Sequence, residues 1–125
     1  MRAVGGVVWV KDEGQLDAVT AVSGSGPAYV FYFIEALEAA GVAAGLGPDV
    51  ARTLALQTFL GSAKLALESG EEAAVLRARV TSKGGTTERG VAALDSKQVK
   101  AAIVAAVEAA RARAVELGEE LGRLA

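Results

Sequence analysis

The sequence contains no cysteine and no histidine. These absences exclude disulfide bonds, thiolate chemistry, zinc sites built on Cys or His, and catalysis by a Ser-His-Asp triad. We therefore expect no metal site. The net charge is −2, and the 13 Lys and Arg residues are spread along the chain. This charge pattern gives no electrostatic basis for binding nucleic acid.

Long apolar runs are absent as well. No uninterrupted apolar stretch approaches the roughly 20 residues that a membrane span requires. Residues 1–14 lack the apolar stretch and the cleavage site of a secretory signal. A chain without cysteine is also compatible with a reducing compartment. We accordingly expect a cytoplasmic protein that does not associate with membranes.

Aromatic residues are scarce, at 5% of the chain, although 52% of the residues are hydrophobic. The apolar content is therefore mostly Ala, Val and Leu, which suits closely packed helices. The length fits one domain, and we expect an all-α helical bundle over residues 12–125. Residues 1–11 are interpreted as the remnant of an interdomain connection. They include a short β-like piece, Val7–Val10, with no evident strand partner.

Helical patterns cover most of the chain after residue 12. The first helix is interrupted by SGSGPAY at positions 23–29, because proline and glycine disfavour a helix interior. Two pairs have the spacing of capping boxes, Ser69 with Glu72 and Asp95 with Gln98. The predicted spans are residues 12–40 with that interruption, 49–67, a short helix up to 80, 86–94, and 96–117.

The last predicted helix carries an apolar seam that indicates packing on another helix. Its residues recur at alternating spacings of four and three: Ile103, Val107, Ala110, Ala114 and Leu117. So much apolar helix surface in a short chain also suggests a subunit interface.

A polar loop, VTSKGGTTERG at residues 80–90, interrupts this helical sequence. Gly84 and Gly85 permit unusual backbone angles and the close approach of a ligand. If Thr86 and Thr87 begin a helix, their N–H groups are free donors at its positive end. Together with the hydroxyls of Ser82 and Thr87, they would form a site for a carboxylate or a phosphate. The alternative is an ordinary turn between two helices.

The SGSGPAY segment also allows two interpretations. Gly24 and Gly26 could let another helix or a flat ring approach the backbone, and Ser23 and Ser25 could donate hydrogen bonds to a ligand. Alternatively, the segment is a kink in a core helix. Neither loop is a Walker motif or a dinucleotide fingerprint, and no βαβ pattern is present to hold a nucleotide.

Four segments taken in order resemble the C-terminal half of pyrroline-5-carboxylate reductase: DAVTAVSGSGPAYVF, GVAAGL, ALQTFLGSAKLALESG and VTSKGGTTERGVAAL. The resemblance runs from about Val4 to Leu117. It implies a helical bundle like the C-terminal domain of 6-phosphogluconate dehydrogenase, forming an intertwined homodimer and, in many members, a decamer of five dimers. Members of this family reduce 1-pyrroline-5-carboxylate to L-proline, in proline biosynthesis, with NADPH or NADH held by an N-terminal Rossmann domain.

The resemblance also implies roles for individual residues. In the family, the loop that matches Ser82, Gly84, Gly85, Thr86 and Thr87 holds the substrate carboxylate, and Thr87 lies near the ring nitrogen. Thr20 falls at a position near the reacting imine, so Thr20 and Thr87 are the catalytic candidates. Ser25 and Gly26 match the segment that lies against the nicotinamide.

Two departures from the family pattern affect these expectations. Many relatives have proline where this chain has Lys83, which makes the loop less rigid. The Rossmann half has no counterpart in this sequence, so we expect no tight cofactor binding and no turnover by this chain alone. The alternatives are a pure dimerisation module, a free-standing small-anion-binding protein, and a related domain of another imine or β-hydroxyacid dehydrogenase.

Overall fold

The computed structural model describes residues 2–3, 6–7 and 12–124 of the chain. The described part is almost entirely helical, which confirms the all-α fold class. Its elements are β1 (Arg2–Ala3), β2 (Gly6–Val7), α1 (Glu13–Val19), a π-helical turn (Thr20–Gly24), α2 (Gly26–Ala43), α3 (Pro48–Ser69), α4 (Ala73–Arg79), α5 (Thr86–Ser96) and α6 (Val99–Leu124).

The two short strands form an antiparallel pair, in which Arg2 lies opposite Val7 and Ala3 opposite Gly6. The expectation that the β-like piece has no strand partner is therefore wrong at Val7. The remainder of that piece, residues 8–10, lies outside the described residues. The division of the chain at residue 11 stays a prediction.

The chain divides into two compact units, one from residues 1–29 with 98–125 and the other from residues 30–97. In the first unit, α6 packs against α1 and against the π-helical turn. Ala21 in that turn is fully buried. The predicted seam of α6 is half-buried at Val107, Ala110 and Ala114, in agreement with a helix that packs along one side.

The predicted interruption of the first helix is present as the π-helical turn. The Ser25 N–H donates to the carbonyl of Thr20 at 2.9 Å, five residues earlier, in place of the usual four. α2 then begins at Gly26, with Pro27 as its second residue. Proline is tolerated there because the first N–H groups of a helix have no partner within it.

The second unit depends on a close approach of α2 and α3. A Cβ atom placed on Gly41 would lie 3.0 Å from the Cβ of Ala51, so the two backbones meet at this glycine. Just after it, the Leu46 N–H donates to the Gly41 carbonyl and the Gly45 N–H to the Val42 carbonyl. With Gly45 at φ +107°, this is a Schellman motif that ends α2 and turns the chain toward α3.

The two predicted capping boxes are both wrong. Gly70, at φ +68°, ends α3 directly after Ser69, and the Ser69 hydroxyl accepts from the Glu71 N–H at 3.2 Å. Glu72 is itself the N-cap of α4 and makes no side-chain cap hydrogen bond. At the second site α5 continues through Ser96, and residues 97–98 form a turn before α6.

A single chain leaves much of its apolar surface exposed. Large side chains of α2 and α3 contribute, since Tyr32 is 73% exposed, Phe31 63% and Leu60 64%. In the described part of the chain, no helix is both long enough and apolar enough to cross a membrane.

The contact between Gly41 and Ala51 gives a test of the second unit. Replacing Gly41 with Val should lower the free energy of unfolding by about 1–3 kcal/mol, because the new side chain forces α2 away from α3. Urea unfolding monitored by circular dichroism measures this. Gly122→Ala in α6 is the control, because nothing lies within 4 Å of a Cβ atom at that position. Equal stability of the Gly41 variant and the wild type would refute the close approach.

Candidate functional site

The glycine-bearing loop between α4 and α5 is anchored at its first residues. The Thr81 hydroxyl donates to the Arg77 carbonyl at 2.6 Å, and the Thr81 N–H donates to the Ala78 carbonyl at 3.2 Å. Together with the Val80 N–H, which donates to the Arg77 carbonyl at 3.2 Å, these bonds satisfy carbonyls at the end of α4. Arg79, the last residue of α4, also pairs through both terminal guanidinium nitrogens with Glu71, which lies just before α4. The loop therefore leaves a short helix that is tied down at both ends.

The centre of the loop is a tight turn over residues 82–85. The Gly85 N–H donates to the Ser82 carbonyl at 3.0 Å, and Gly84 has φ +74°. A positive φ at the third position of such a turn defines type II, for which glycine is strongly preferred. Lys83 then occupies the second position, where proline is favoured in turns of this type.

Gly85 must be glycine because of Ser82. A Cβ atom on Gly85 would lie 2.6 Å from the Ser82 Oγ and 3.2 Å from the Ser82 carbonyl oxygen. The Ser82 hydroxyl therefore lies directly over the Gly85 backbone, beside the first turn of α5. Any side chain at position 85 would displace it.

The first turn of α5 supplies unused donors next to this hydroxyl. Gly85 is the N-cap of α5 and has no side chain to accept from the helix. Within the described residues, the N–H groups of Thr86, Thr87 and Glu88 make no hydrogen bond to a residue outside α5, where their partners would lie. Thr87 is half-buried and Thr86 is exposed. The loop thus presents a hydroxyl and a helix N-terminus to one point, an arrangement that can bind a carboxylate.

Two details of the loop differ from the set of donors expected from the sequence. The Gly85 N–H is already used by the turn, and the Gly84 N–H donates to a carboxylate oxygen of Glu88 at 3.0 Å. Sequence reasoning missed Glu88 altogether. The available signal was an acidic residue at the third position of a helix, where a side chain can return to the residues before the N-cap.

The other predicted site residues lie in the first unit, whereas the loop lies in the second. The Thr20 hydroxyl donates to the Leu16 carbonyl at 3.1 Å, so its oxygen remains free to accept. Ser25 and Gly26 are half-buried. A Cβ atom on Gly26 would have no neighbour within 4 Å, so the backbone there adjoins open space. The Thr20 backbone is held by the π-helical bond that its carbonyl accepts from Ser25.

The described residues contain no group of three or more His, Cys, Asp or Glu side chains that could hold a metal ion. The polar groups of the loop, which are hydroxyls and backbone N–H donors, instead suit an anionic organic group.

The type II turn predicts the effect of proline at its second position. Lys83→Pro should raise the free energy of unfolding by about 0.4–1 kcal/mol, because proline restricts the unfolded chain and fits the second position of the turn. Urea denaturation at fixed protein concentration measures this. Lys97→Pro is the matched control and should destabilise, since the Lys97 N–H donates to the Ala93 carbonyl. A destabilising Lys83→Pro would show that the turn is of another type.

Comparison with known proteins gives the family. The family model described as pyrroline-5-carboxylate reductase dimerisation matches residues 13–117. The pyrroline-5-carboxylate reductase of Pseudomonas aeruginosa is 48% identical over 123 residues, which cover 98% of this chain and 45% of that protein. A structure of the Coxiella burnetii reductase superposes with a TM-score of 0.87 and 45% identity, over 91% of this chain and 42% of that one.

A further similar structure is that of Plasmodium falciparum pyrroline carboxylate reductase with NADP bound. It has a TM-score of 0.84 and 37% identity, and it covers 90% of this chain and 46% of that one. This chain thus spans about half the length of the curated relatives it matches. The matched residues 13–117 include the π-helical turn, the loop before α5 and most of α6. The chain belongs to the pyrroline-5-carboxylate reductase family and contains its dimerisation domain.

Proposed function

We propose that this chain dimerises and holds the substrate carboxylate in a pyrroline-5-carboxylate reductase, which reduces 1-pyrroline-5-carboxylate to L-proline in the cytoplasm. The observation that carries this proposal is the geometry of the loop: the Ser82 hydroxyl lies over Gly85, next to the unused N–H groups of Thr86 and Thr87. The similarity to reductases over nearly the whole chain supplies the identity of the anion.

Holding the carboxylate fixes the orientation of the substrate ring, which is the main contribution of this domain to the chemistry. A hydride adds to the carbon of the protonated C=N bond, the π electrons move to nitrogen, and L-proline results. NADPH or NADH, when bound, supplies that hydride. Thr87, half-buried at the first turn of α5, is the hydroxyl we assign to the ring nitrogen. Thr20 would act near the imine through its free acceptor oxygen.

The open backbone at Gly26, in the first unit, could contact the nicotinamide ring of the cofactor. The backbone at Gly26 adjoins open space in this chain, and a flat ring can contact a glycine backbone closely. Ser25 and Gly26 would form that contact. The described residues carry no phosphate-binding fingerprint, so the phosphates and adenine would need groups from elsewhere.

The exposed apolar surface supports assembly with a second copy. Obligate dimer interfaces are large and apolar, and Phe31, Tyr32 and Leu60 are 63%, 73% and 64% exposed. We propose that two copies intertwine, so that each covers side chains such as Phe31, Tyr32 and Leu60 of the other. A ring of five such dimers is the larger assembly we propose for the whole enzyme.

A stand-alone module that binds small anions without catalysis is the second candidate. The observation that favours it is the donor set of the loop, a hydroxyl beside backbone N–H groups at a helix N-terminus, which suits any small anion. Such a module would bind acetate or phosphate as well as it binds L-proline, whereas a reductase site prefers the five-membered ring.

Dimerisation predicts that stability depends on protein concentration. A tenfold increase in concentration should raise the apparent free energy of unfolding by about 1.4 kcal/mol, because unfolding then includes dissociation. Urea unfolding at two concentrations measures this, and sedimentation equilibrium gives the mass directly. A single-chain mass together with an unfolding midpoint independent of concentration would contradict the dimer.

Ligand binding at the loop predicts the effects of two substitutions. Thr87→Ala should raise the Kd for L-proline about fivefold, through loss of the hydrogen bond that we assign to the ring nitrogen. Gly85→Ala should raise it about tenfold or more, because the methyl group displaces the Ser82 hydroxyl. Chemical shifts of the Thr86 and residue-87 amides during titration give both values.

Three controls make this titration specific. L-prolinamide, which lacks the carboxylate, should bind far more weakly than L-proline, and Gly122→Ala should bind like the wild type. Acetate separates a general anion site from one shaped for the ring. The proposed function is wrong if the wild-type chain binds L-prolinamide as well as it binds L-proline.

A further inference from the structure

Glu88 contacts the loop in a way that the chemistry above does not use. It is the third residue of α5, and its carboxylate accepts a hydrogen bond from the Gly84 N–H at 3.0 Å. The bond returns from the helix to the residue before the N-cap. It closes a small ring that includes Gly85, Thr86 and Thr87.

The glycine that Glu88 holds is the most adaptable point of the loop. Gly84 is at φ +74°, and nothing lies within 4 Å of a Cβ atom placed on it. Packing therefore does not restrain this residue. The two hydrogen bonds that do restrain the turn are the Gly85 N–H to the Ser82 carbonyl and the Gly84 N–H to Glu88. The first fixes the ends of the turn, and the second fixes the orientation of the peptide between Lys83 and Gly84.

Glu88 also decides which donors remain for a ligand. With the Gly84 N–H occupied, the donors that we assign to the ligand are the N–H groups of the first turn of α5 and the Ser82 hydroxyl, which lies over Gly85. These lie together on the α5 side of the turn. Without the carboxylate, the Gly84 N–H would be a competing anion-binding point outside the helix, and Gly84 could adopt other conformations.

We propose that Glu88 is a positioning residue for the substrate carboxylate: it locks Gly84 so that Ser82 and the N–H groups of α5 converge on the ligand. This inference rests on the proposed function, since it assigns a role within the same site. Glu88 does not contact the ligand, and its amide analogue should serve nearly as well, because a Gln oxygen can accept from the Gly84 N–H.

Three variants of the full chain test this proposal by L-proline titration. Glu88→Ala should raise the Kd about fivefold, the factor expected for one ordinary hydrogen bond. Glu88→Gln should bind within about twofold of the wild type, because it keeps the acceptor. Glu72→Ala is the control, since Glu72 is an exposed glutamate at the start of the preceding helix and makes no side-chain cap hydrogen bond.

The Gly84 amide signal provides a second measurement, independent of the ligand. In the free chain, its hydrogen exchange should quicken in Glu88→Ala but not in Glu88→Gln. A role limited to the stability of α5 would lower the melting temperature without changing the Kd, and this would overturn the proposal.

The remaining outcomes are distinct from one another. Tighter binding by Glu88→Ala would mean that Glu88 competes with the ligand for the loop, which also overturns the proposal. An equal loss of affinity in Glu88→Ala and Glu72→Ala would show that the loss does not depend on the bond to the Gly84 N–H, which overturns the proposal as well. If the wild-type chain does not bind L-proline, the proposed function falls and this inference falls with it.

Discussion

The burial of apolar surface is the constraint on which the rest of this structure depends. Within the described residues the buried positions are alanines, Ala21, Ala51 and Ala55, whereas the large apolar side chains of α2 and α3 remain accessible. Helices of this length gain little stability in water without a packed face. This exposure agrees with the family to which the chain belongs, which is described by its dimerisation.

The loop before α5 is built on a different principle from the helices around it. Its shape follows from hydrogen bonds among residues 77–88, which are close in sequence, and from a steric contact between Ser82 and Gly85. Such local bonds can form without a partner chain. The helices leave large apolar side chains accessible in a single chain, while the geometry that would hold a carboxylate is encoded within a dozen residues. A mutation on an apolar helix face should therefore lower stability, whereas a mutation in the loop should lower carboxylate binding.

Much of the fold could be predicted from the sequence, because periodic apolar residues and the glycines at positions 70, 84 and 85 mark helices and turns directly. Helix starts were harder. The capping-box spacing failed at Ser69, which is the last residue of α3 before Gly70. It also failed at Asp95, because α5 continues through Ser96. It went unnoticed at Glu88, where the residue three positions earlier is a glycine. Which N–H groups stay free depends on that side-chain rotamer, and no sequence pattern specifies it.

The π-helical turn changes the direction in which the side chains after it point around the helix axis. A turn closed five residues back contains one residue more than an α-helical turn, and each residue of a helix advances by about 100° around the axis. The stripe that includes Leu16 and Val19 therefore does not continue on the same side after Gly24. If the same five residues of TAVSG adopted an ordinary α-helical turn, the backbone at Gly26 would be rotated by about that angle, whereas deleting one of them would restore an unbroken α-helix and leave Gly26 where it is. The extra residue shifts the helical periodicity by one position, so the residues before it and the residues after it follow different apolar stripes.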